Sequence, residues 1–123
     1  MEIEVQEVSS THLARLLERM GVHDPRGENT PADIAAGRVC MRFTTPTGSM
    51  AYVLRKEGAL MWVDGAASEG GKGLTAPGLE LAQAIAQQSG CTAVAFETNR
   101  PGLVKLAVRQ GYRVTGYILE KAV

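Results

Sequence analysis

The feature that most constrains the fold of this chain is an apolar run that lies between two helical patterns. Residues 91–98 read Cys-Thr-Ala-Val-Ala-Phe-Glu-Thr, and so continuous a run predicts a strand that is buried on both faces, as in the middle of a sheet. The preceding helical pattern stops at Gly90, and the following one opens at Pro101 and stops at Gly111. Residues 112–119 predict a final strand. This order is typical of α/β units with crossover helices.

The first half of the chain predicts strands that are joined by short turns. Three strand patterns lie within residues 38–64, and the turns between them, at residues 46–48 and 56–58, suit antiparallel hairpins. Ile3 and Val5 alternate with polar residues, which indicates a further half-buried strand. The whole order is β-α-α-β-β-β-α-β-α-β, an α/β (α+β) class with a mixed sheet.

Two helices are predicted between that first strand and the hairpins. Apolar residues recur at helical spacing in residues 13–20, and Gly21 can end this helix. Thr30 and Asp33 have the spacing of a capping box, with Pro31 at the first helical position. The second helix is therefore predicted to begin at residue 31 and to be short.

The length and charge of the chain limit its class. The length of 123 residues and a composition of 45% hydrophobic and 21% charged residues predict one soluble globular domain over residues 1–123. Lys plus Arg and Asp plus Glu both number 13, which argues against a nucleic-acid partner bound mainly through phosphate contacts. The start of the chain lacks signal-peptide character, and no apolar run approaches the ~20 residues of a membrane helix. We expect a cytoplasmic protein without a membrane partner.

The cysteines and histidines do not form a metal-binding pattern. Cys40 and Cys91 each lie inside an apolar run, so we predict two buried free thiols rather than a disulfide. His12 and His23 have no second ligand residue nearby in the sequence, and no Cys-x-x-Cys pair exists. We expect no metal cofactor.

A glycine-rich segment, Ser-Glu-Gly-Gly-Lys-Gly at residues 68–73, lies between a predicted strand and a predicted helix. Backbone N–H groups in such a place can converge on an anion, and the helix dipole and Lys72 add to the attraction. The segment is not a P-loop, and Ala76 stands where the dinucleotide-binding fingerprint needs its third glycine. It predicts either a phosphate-binding loop or a flexible connection.

The loop and the residues after it fit a known pattern. Residues 70–75 read Gly-Gly-Lys-Gly-Leu-Thr, Asn99 follows the next strand, and a Gly-Tyr step at residues 111–112 opens the last one. In these positions the sequence resembles the GNAT acyltransferase superfamily, whose coenzyme A loop reads Q/R-x-x-G-x-G/A. Gly73 matches the first glycine of that motif, while Gly70 and Thr75 depart from it. The resemblance covers the last half of the chain well and the first half as strand order.

This resemblance implies a binding site for acyl-CoA, with acetyl-CoA as co-substrate, where the fourth and fifth strands part. Main-chain groups near Gly65 and Ala67 would pair with the pantetheine arm, and Asn99 would hydrogen-bond the coenzyme near its thioester. The pyrophosphate would lie against the loop, whose implied cofactor-binding residues are Gly70, Gly71, Lys72, Gly73, Leu74 and Thr75.

Catalytic groups are harder to assign, because Ala107 stands where many members of that superfamily carry a tyrosine as general acid. Asp64 is the first candidate for the base that accepts the amine proton, and Glu97 is the second. Either carboxylate is also explained as a solvated strand-end residue. Tyr112 is expected to pack against the sheet, with a hydroxyl that needs a partner if buried, and Trp62 is expected in the core rather than in an acceptor-site wall.

Three functions remain open at this point. The first is an acyl-CoA-dependent N-acetyltransferase that acts on an amine of a small molecule or a protein. The second is a module of the same fold that binds coenzyme A or a protein partner without turnover, in keeping with Ala107 and the altered loop. The third, a member directed at nucleic acid, has least support because the net charge is zero. Superfamily members usually add a seventh strand beyond the place of Val123, so we expect a second copy to cover an open sheet edge in a homodimer.

Overall fold

The protein is described here by a computed structural model, which covers residues 4–20, 29–36, 38–46, 48–70 and 75–123. Five strands and four helices are formed within these residues. In chain order they are β1 (Glu4–Val8), α1 (Ser10–Met20), α2 (Pro31–Ala35), β2 (Val39–Thr45), β3 (Gly48–Glu57), β4 (Leu60–Gly70), α3 (Thr75–Gln88), β5 (Ala93–Phe96) and α4 (Pro101–Arg109).

The strands form one mixed sheet in the order β1-β2-β3-β4-β5. The pairs β1–β2, β2–β3 and β3–β4 are antiparallel, as the short turns predict. The pair β4–β5 is parallel, and α3 makes the crossover that a parallel connection needs. The predicted α/β class with a mixed sheet is therefore confirmed.

Each face of the sheet has its own apolar cluster. Leu13, Leu16 and Leu17 of α1 are buried with Ile34 of α2 against side chains of the central strands. A second cluster gathers Phe43, Tyr52 and Leu54 with Ala86 of α3. Because residues alternate between the faces of a strand, β2 and β3 contribute to both clusters, which fixes their register.

Several local predictions are confirmed in atomic detail. The Thr30 hydroxyl accepts a hydrogen bond from the Asp33 N–H at 3.2 Å, and the Asp33 carboxylate accepts one from the Thr30 N–H at 3.0 Å. This capping box starts α2 at Pro31. Cys40 and Cys91 are buried free thiols.

The final strand predicted for residues 112–119 is wrong, since residues 112–123 belong to no helix or strand. Tyr117 and Leu119 are 90% and 94% exposed. Alternating apolar residues favour a strand only where a neighbouring strand supplies hydrogen-bond partners, and here none of the described strands lies alongside.

Two other strand predictions need correction at their ends. The run 91–98 forms a strand only over Ala93–Phe96, and it lies at the edge of the described sheet, half-buried instead of covered on both faces. Conversely, residues 68–70, which we predicted as loop, extend β4. They pair with residues 48–50 of β3, because backbone pairing in a long hairpin does not require apolar side chains.

Candidate active site

The candidate site lies where β4 and β5 part. Their parallel pairing ends with Val63 opposite Phe96, yet β4 continues to Gly70 and there pairs, among the described strands, with β3 alone. Beyond Val63, the edge of β4 that faces away from β3 therefore has no strand beside it within the described sheet. An edge of this kind offers main-chain N–H and C=O groups to a ligand.

A β-bulge marks the same point of β4. Val53 pairs with Gly65 and Leu54 pairs with Val63, so Asp64 is an extra residue on β4 with no opposite number on β3. Bulges bend a strand and re-aim its side chains, and they are frequent beside active sites. The bulge thus directs Asp64 at the place where the two strands separate.

A cavity of about 790 Å³ opens beside this bulge. Residues of α1, α2, β3, β4, α3 and α4 contribute to its wall, as does the segment after β5. Among the lining residues are Trp62, Asp64, Gly65, Ala67, Glu97 and Tyr112. Its size is that of a small-molecule or cofactor site.

Asp64 is bound by two arginines on the cavity wall. Its Oδ2 accepts hydrogen bonds from Arg38 Nε at 2.6 Å and from Arg55 Nε at 3.0 Å, and its Oδ1 accepts one from Arg55 Nη2 at 3.2 Å. The Arg55 guanidinium also lies over the ring of Trp62, 5.6 Å from its centroid. Hydrogen bonding to Asp64 raises the pKa of Arg55 above its ordinary value. The Asp64 carboxylate therefore joins two cations.

Glu97 occupies the matching place on the other strand. It follows Phe96, the last paired residue of β5, as Asp64 follows Val63 on β4. Its side chain is exposed and lines the cavity, and it makes no ion pair or hydrogen bond with any residue that the structure describes. The two carboxylates predicted from the sequence thus line one cavity, and of the two only Asp64 is ion-paired with described residues.

Of the residues implied in coenzyme binding, Gly65, Ala67 and Thr75 line the cavity, whereas Gly70 and Asn99 are not among its lining residues. Gly65 and Ala67 are buried and line the cavity, and Thr75 lines it as the first residue of α3. Gly70 ends β4 with φ +96°, a conformation that favours glycine. Residues 71–74 (Gly71, Lys72, Gly73 and Leu74) lie outside the described residues. Asn99 is exposed, between Thr98 and Arg100, which both line the cavity.

The start of α3 is held close to the sheet. A Cβ atom on Gly78 would lie 2.6 Å from Met50 Sδ and 2.9 Å from the Tyr52 hydroxyl, so any other residue here would require these side chains to shift. At the other side, Gln110 Nε2 donates a hydrogen bond of 3.1 Å to the Ala76 carbonyl oxygen. These contacts fix the N-terminus of α3, whose dipole favours anions, at the end of the cavity that Thr75 lines.

Sequence reasoning missed several residues of this site. Trp62, which we expected in the core, is half-buried and forms part of the cavity wall. The arginines 38 and 55 gave no signal because their partner Asp64 is 26 and 9 residues away in the chain. Tyr52 lies within the hairpin strands predicted for residues 38–64 and gave no signal of its own, because its partner Gly78 is 26 residues away in the chain.

Comparisons with solved structures identify the fold. The glucosamine-6-phosphate N-acetyltransferase of Arabidopsis thaliana has a TM-score of 0.57 at 11% identity, with 99% of each chain covered. The aminoglycoside 6'-N-acetyltransferase AAC(6')-Ih of Acinetobacter baumannii has a TM-score of 0.54 at 13% identity, covering 99% of this chain and 98% of that one. This chain has the GNAT N-acetyltransferase fold. No family model and no curated relative matches the sequence.

A third solved structure of similar fold contains a bound ligand. AAC(6')-Iy, in complex with a bisubstrate analog in which coenzyme A is joined to monomethyl-acetylneamine, has a TM-score of 0.52 at 14% identity, covering 98% of this chain and 100% of that one. Within the described ranges, no helix is long and apolar enough to cross a membrane, and no group of three metal-ligating side chains comes together.

Proposed function

We propose that this protein is an acyl-CoA-dependent N-acetyltransferase that transfers an acetyl group to a primary amine. The observation that carries the proposal is the parting of β4 and β5 after Val63 and Phe96, which opens a main-chain edge onto the cavity. Two carboxylates flank that opening, and a helix N-terminus lies at one end of it. A thioester with a long amide-containing arm and an anionic head matches these three features.

The pantetheine arm fits the exposed edge of β4. Its amide groups can pair with main-chain groups near Gly65 and Ala67 in the way that a further strand would. The pyrophosphate is proposed to lie against the backbone N–H groups of residues 71–75 and the start of α3, where the helix dipole favours negative charge. From their places in the sequence, Lys72 is proposed to add a positive charge to the pyrophosphate site and Asn99 to contact the coenzyme nearer the thioester.

The acceptor amine must lose a proton before its nitrogen can attack the thioester carbon. We propose Glu97 as the first candidate for the base, because its carboxylate is exposed to the cavity and is not ion-paired with any residue described. Asp64 is the second candidate. Its oxygens already accept hydrogen bonds from Arg38 and Arg55, so it is better placed to hold those two side chains in position.

The acceptor itself is proposed to enter over Trp62 and Arg55, which form one wall of the cavity. The structural neighbours named above act on glucosamine-6-phosphate and on an aminoglycoside antibiotic, both of which contain an amino-sugar ring. A sugar ring can pack on an aromatic wall, and its ammonium group is attracted by a carboxylate such as Glu97. An amine of a small molecule is therefore the first acceptor class to test, and an amine of a protein is the second.

The test is a titration of the purified protein with acetyl-CoA and with coenzyme A, followed by melting temperature and by calorimetry. A ligand that binds only the folded protein raises its stability by about 2.7 kcal/mol at a hundred times its Kd. We expect both ligands to bind, and Gly73→Val to weaken them at least tenfold. Gly116→Val is the matched control, since a Cβ there would meet no atom within 4 Å.

The outcomes of this titration separate the functions. Binding together with acetylation of an amine in an acceptor screen supports the proposal. Binding without turnover on any amine would point to the non-catalytic module instead. No binding of either ligand at millimolar concentration would overturn the proposal as a whole. Because acetyl-CoA is a cytoplasmic metabolite, we also propose the cytoplasm as the site of action.

A further inference from the structure

A second cavity, of about 410 Å³, adjoins the candidate active site and shares part of its wall. Arg38 and Arg55 line both cavities, while Lys56 lines only the second. The other described residues of the second wall are apolar, namely Ala36, Val39 and Leu54. Every charged side chain that lines the second cavity within the described residues is therefore a cation.

The carboxylates near these arginines lie elsewhere. Asp33, Asp64 and Glu97 line the main cavity, and none of the three lines the second. Glu57, which accepts a hydrogen bond from Arg55 Nη1, is 67% exposed and lines neither cavity. The main cavity thus presents carboxylates as well as arginines, and the second presents cations alone. A molecule that bears both an amine and an anion is complementary to this distribution of charge.

Arg38 has hydrogen-bond donors that no described residue uses. Its Nε donates to Asp64 Oδ2 at 2.6 Å, and its Nη1 donates to the Ala36 carbonyl oxygen at 3.1 Å. The same Nη1 makes longer hydrogen bonds to the carbonyl oxygens of residues 33 and 34. Its Nη2 makes no hydrogen bond with the described residues, and the side chain is 32% exposed. Both N–H groups of Nη2 are therefore open to an anionic ligand.

Arg55 is fixed by its other contacts and contributes mainly charge. Its Nε and Nη2 donate to Asp64, its Nη1 donates to Glu57, and its guanidinium lies over the ring of Trp62. Two guanidinium groups at this distance would repel each other without the carboxylate between them. Asp64 therefore allows Arg38 and Arg55 to lie side by side, where one carboxylate is shared by two cations.

We propose that the acceptor carries an anionic group, a phosphate or a carboxylate, in addition to its amine, and that Arg38 Nη2 binds this anion while the amine lies in the main cavity with Glu97. This names a class of acceptor and rests on the proposed acetyl transfer. Guanidinium donors match the oxygens of phosphate and of carboxylate alike. Lys56, whose Nζ donates to the Ser89 carbonyl oxygen at 2.9 Å, adds positive charge to the same wall.

Other classes of acceptor fit the second cavity less well. A second amine in place of the anion would meet like charges on Arg38, Arg55 and Lys56, which lowers affinity. An uncharged group would leave the Nη2 donors to water and gain nothing from the positive charge. The acceptor class that uses both cavities is therefore an amine that also bears a negative charge.

The first experiment follows the Nε–H signals of Arg38 and Arg55 in nuclear magnetic resonance spectra, with coenzyme A bound so that its own phosphates fill the pyrophosphate site. Inorganic phosphate and acetate are the probes, and they distinguish a phosphate from a carboxylate as the preferred anion. We expect the preferred anion to shift both signals along one saturable curve. The signal of Arg15, which is exposed on α1 and lines neither cavity, should not move.

Arg38→Gln tests the role of the free donors. It removes the charge and both Nη2 donors at this position, yet leaves Arg55 bound to Asp64. In this variant the anion should no longer shift the Arg55 signal. Arg15→Gln is the matched control and should behave as the wild type does. Arg38→Lys keeps a positive charge without the second nitrogen, so we expect weakened rather than abolished anion binding.

The second experiment asks whether the anion belongs to the acceptor. Its probes are pairs that differ in the negative charge: glucosamine 6-phosphate with glucosamine, and β-alanine with β-alaninamide. In at least one pair the anionic member should bind the wild-type protein at least about tenfold more tightly, because a hydrogen bond to a charged group is a strong one. In Arg38→Gln the two members should bind within about threefold of each other.

The possible results distinguish this inference from the function on which it rests. With coenzyme A bound, an Arg38 signal that neither anion shifts, or equal binding within both pairs, would overturn the acceptor class alone. A preference that survives in Arg38→Gln would overturn the role of Arg38. Failure of the wild-type protein to bind coenzyme A would overturn the acetyl transfer itself. A preference for the anionic member that disappears in Arg38→Gln, but not in Arg15→Gln, supports the inference.

Discussion

The Tyr52 hydroxyl donates a hydrogen bond to the carbonyl oxygen of Gly78, and this bond ties β3 to the beginning of α3. The two residues are 26 positions apart in the chain. Their contact places the N-terminus of α3 beside the cavity, so the proposed phosphate site depends on the fit between one strand and one helix. A change that widens this fit should affect both stability and coenzyme binding.

Gly78→Ala is predicted to lower the free energy of unfolding by about 1–3 kcal/mol, because the new methyl group overpacks a close helix–sheet contact. Its Cβ would meet Met50 Sδ at 2.6 Å and the Tyr52 hydroxyl at 2.9 Å, and only the methionine can easily move. Urea unfolding and a coenzyme A titration should show lower stability together with weaker binding.

The control for this change is Gly102→Ala, near the start of α4. A Cβ at Gly102 would meet no atom within 4 Å, and alanine favours a helix over glycine. Its stability should be unchanged or slightly higher. Gly78→Ala with wild-type stability would show that the strand and the helix tolerate separation, and the proposed role of this contact would have to be abandoned.

Removing the charge of Asp64 should mainly lower stability, whereas removing the charge of Glu97 should mainly lower turnover. Asp64→Asn leaves Arg38 and Arg55 without their shared anion. Removing one partner of a fully buried pair costs about 3–5 kcal/mol, but Asp64 is 18% exposed and its arginines 32% and 39%. Screening by water should therefore reduce the loss of stability to about 1–2 kcal/mol.

Glu97→Gln should instead leave the free energy of unfolding within about 0.5 kcal/mol, because the side chain is exposed and makes no ion pair with any of the described residues. Its turnover should fall at least about 100-fold if Glu97 is the base. Equilibrium unfolding and kcat, measured for both variants, give a two-by-two comparison. A larger loss of turnover in Asp64→Asn than in Glu97→Gln would exchange the roles proposed for the two residues.

The sequence could predict those parts of the fold that follow from local rules. The capping box of Thr30 and Asp33 and the order of hairpins before a β-α-β unit depend on residues within one element or one turn. The end of β4 could not be predicted, because residues 68–70 have polar and glycine side chains and form a strand only through main-chain pairing with β3.

The residues of the candidate site could also be predicted only in part from the sequence. The sequence marked Asp64 and Glu97 as carboxylates at two strand ends, and the structure brings both to one opening. It could not reveal that Asp64 is the extra residue of a β-bulge, since a bulge depends on the register between β3 and β4. Nor could it reveal the ring contact between Phe96 and Tyr112, whose partners come from different elements.

The charge of Asp33 should make the start of α2 sensitive to acid. Hydrogen bonds from the Thr30 backbone and side chain lower the pKa of Asp33 below its ordinary value of 3.8. A carboxyl whose pKa is lower in the folded state than in the unfolded state stabilises the folded state at pH values above 3.8. This contribution is lost as the pH falls through the pKa of the folded state. Asp33→Asn should therefore lose less stability than the wild type on acidification below about pH 4. Melting curves from pH 7 to pH 2 would test this, and identical pH dependence in both proteins would contradict it.

The outer edge of β5 in the described sheet and the exposed apolar residues after α4 predict self-association. β5 has β4 as its only neighbour in the described sheet, and Val114, Ile118 and Leu119 are between 56% and 94% exposed. Open edges and exposed apolar side chains are usually covered, so we expect a homodimer by light scattering at high concentration.

Replacing Ile118 and Leu119 with serine should raise the dimer dissociation constant at least tenfold, because burial of each aliphatic side chain contributes about 1.5–3 kcal/mol. Val108→Ser is the control, since Val108 is 52% exposed on α4 and is not part of residues 112–123. A wild-type protein that stays monomeric at high concentration would show that this edge needs no second copy.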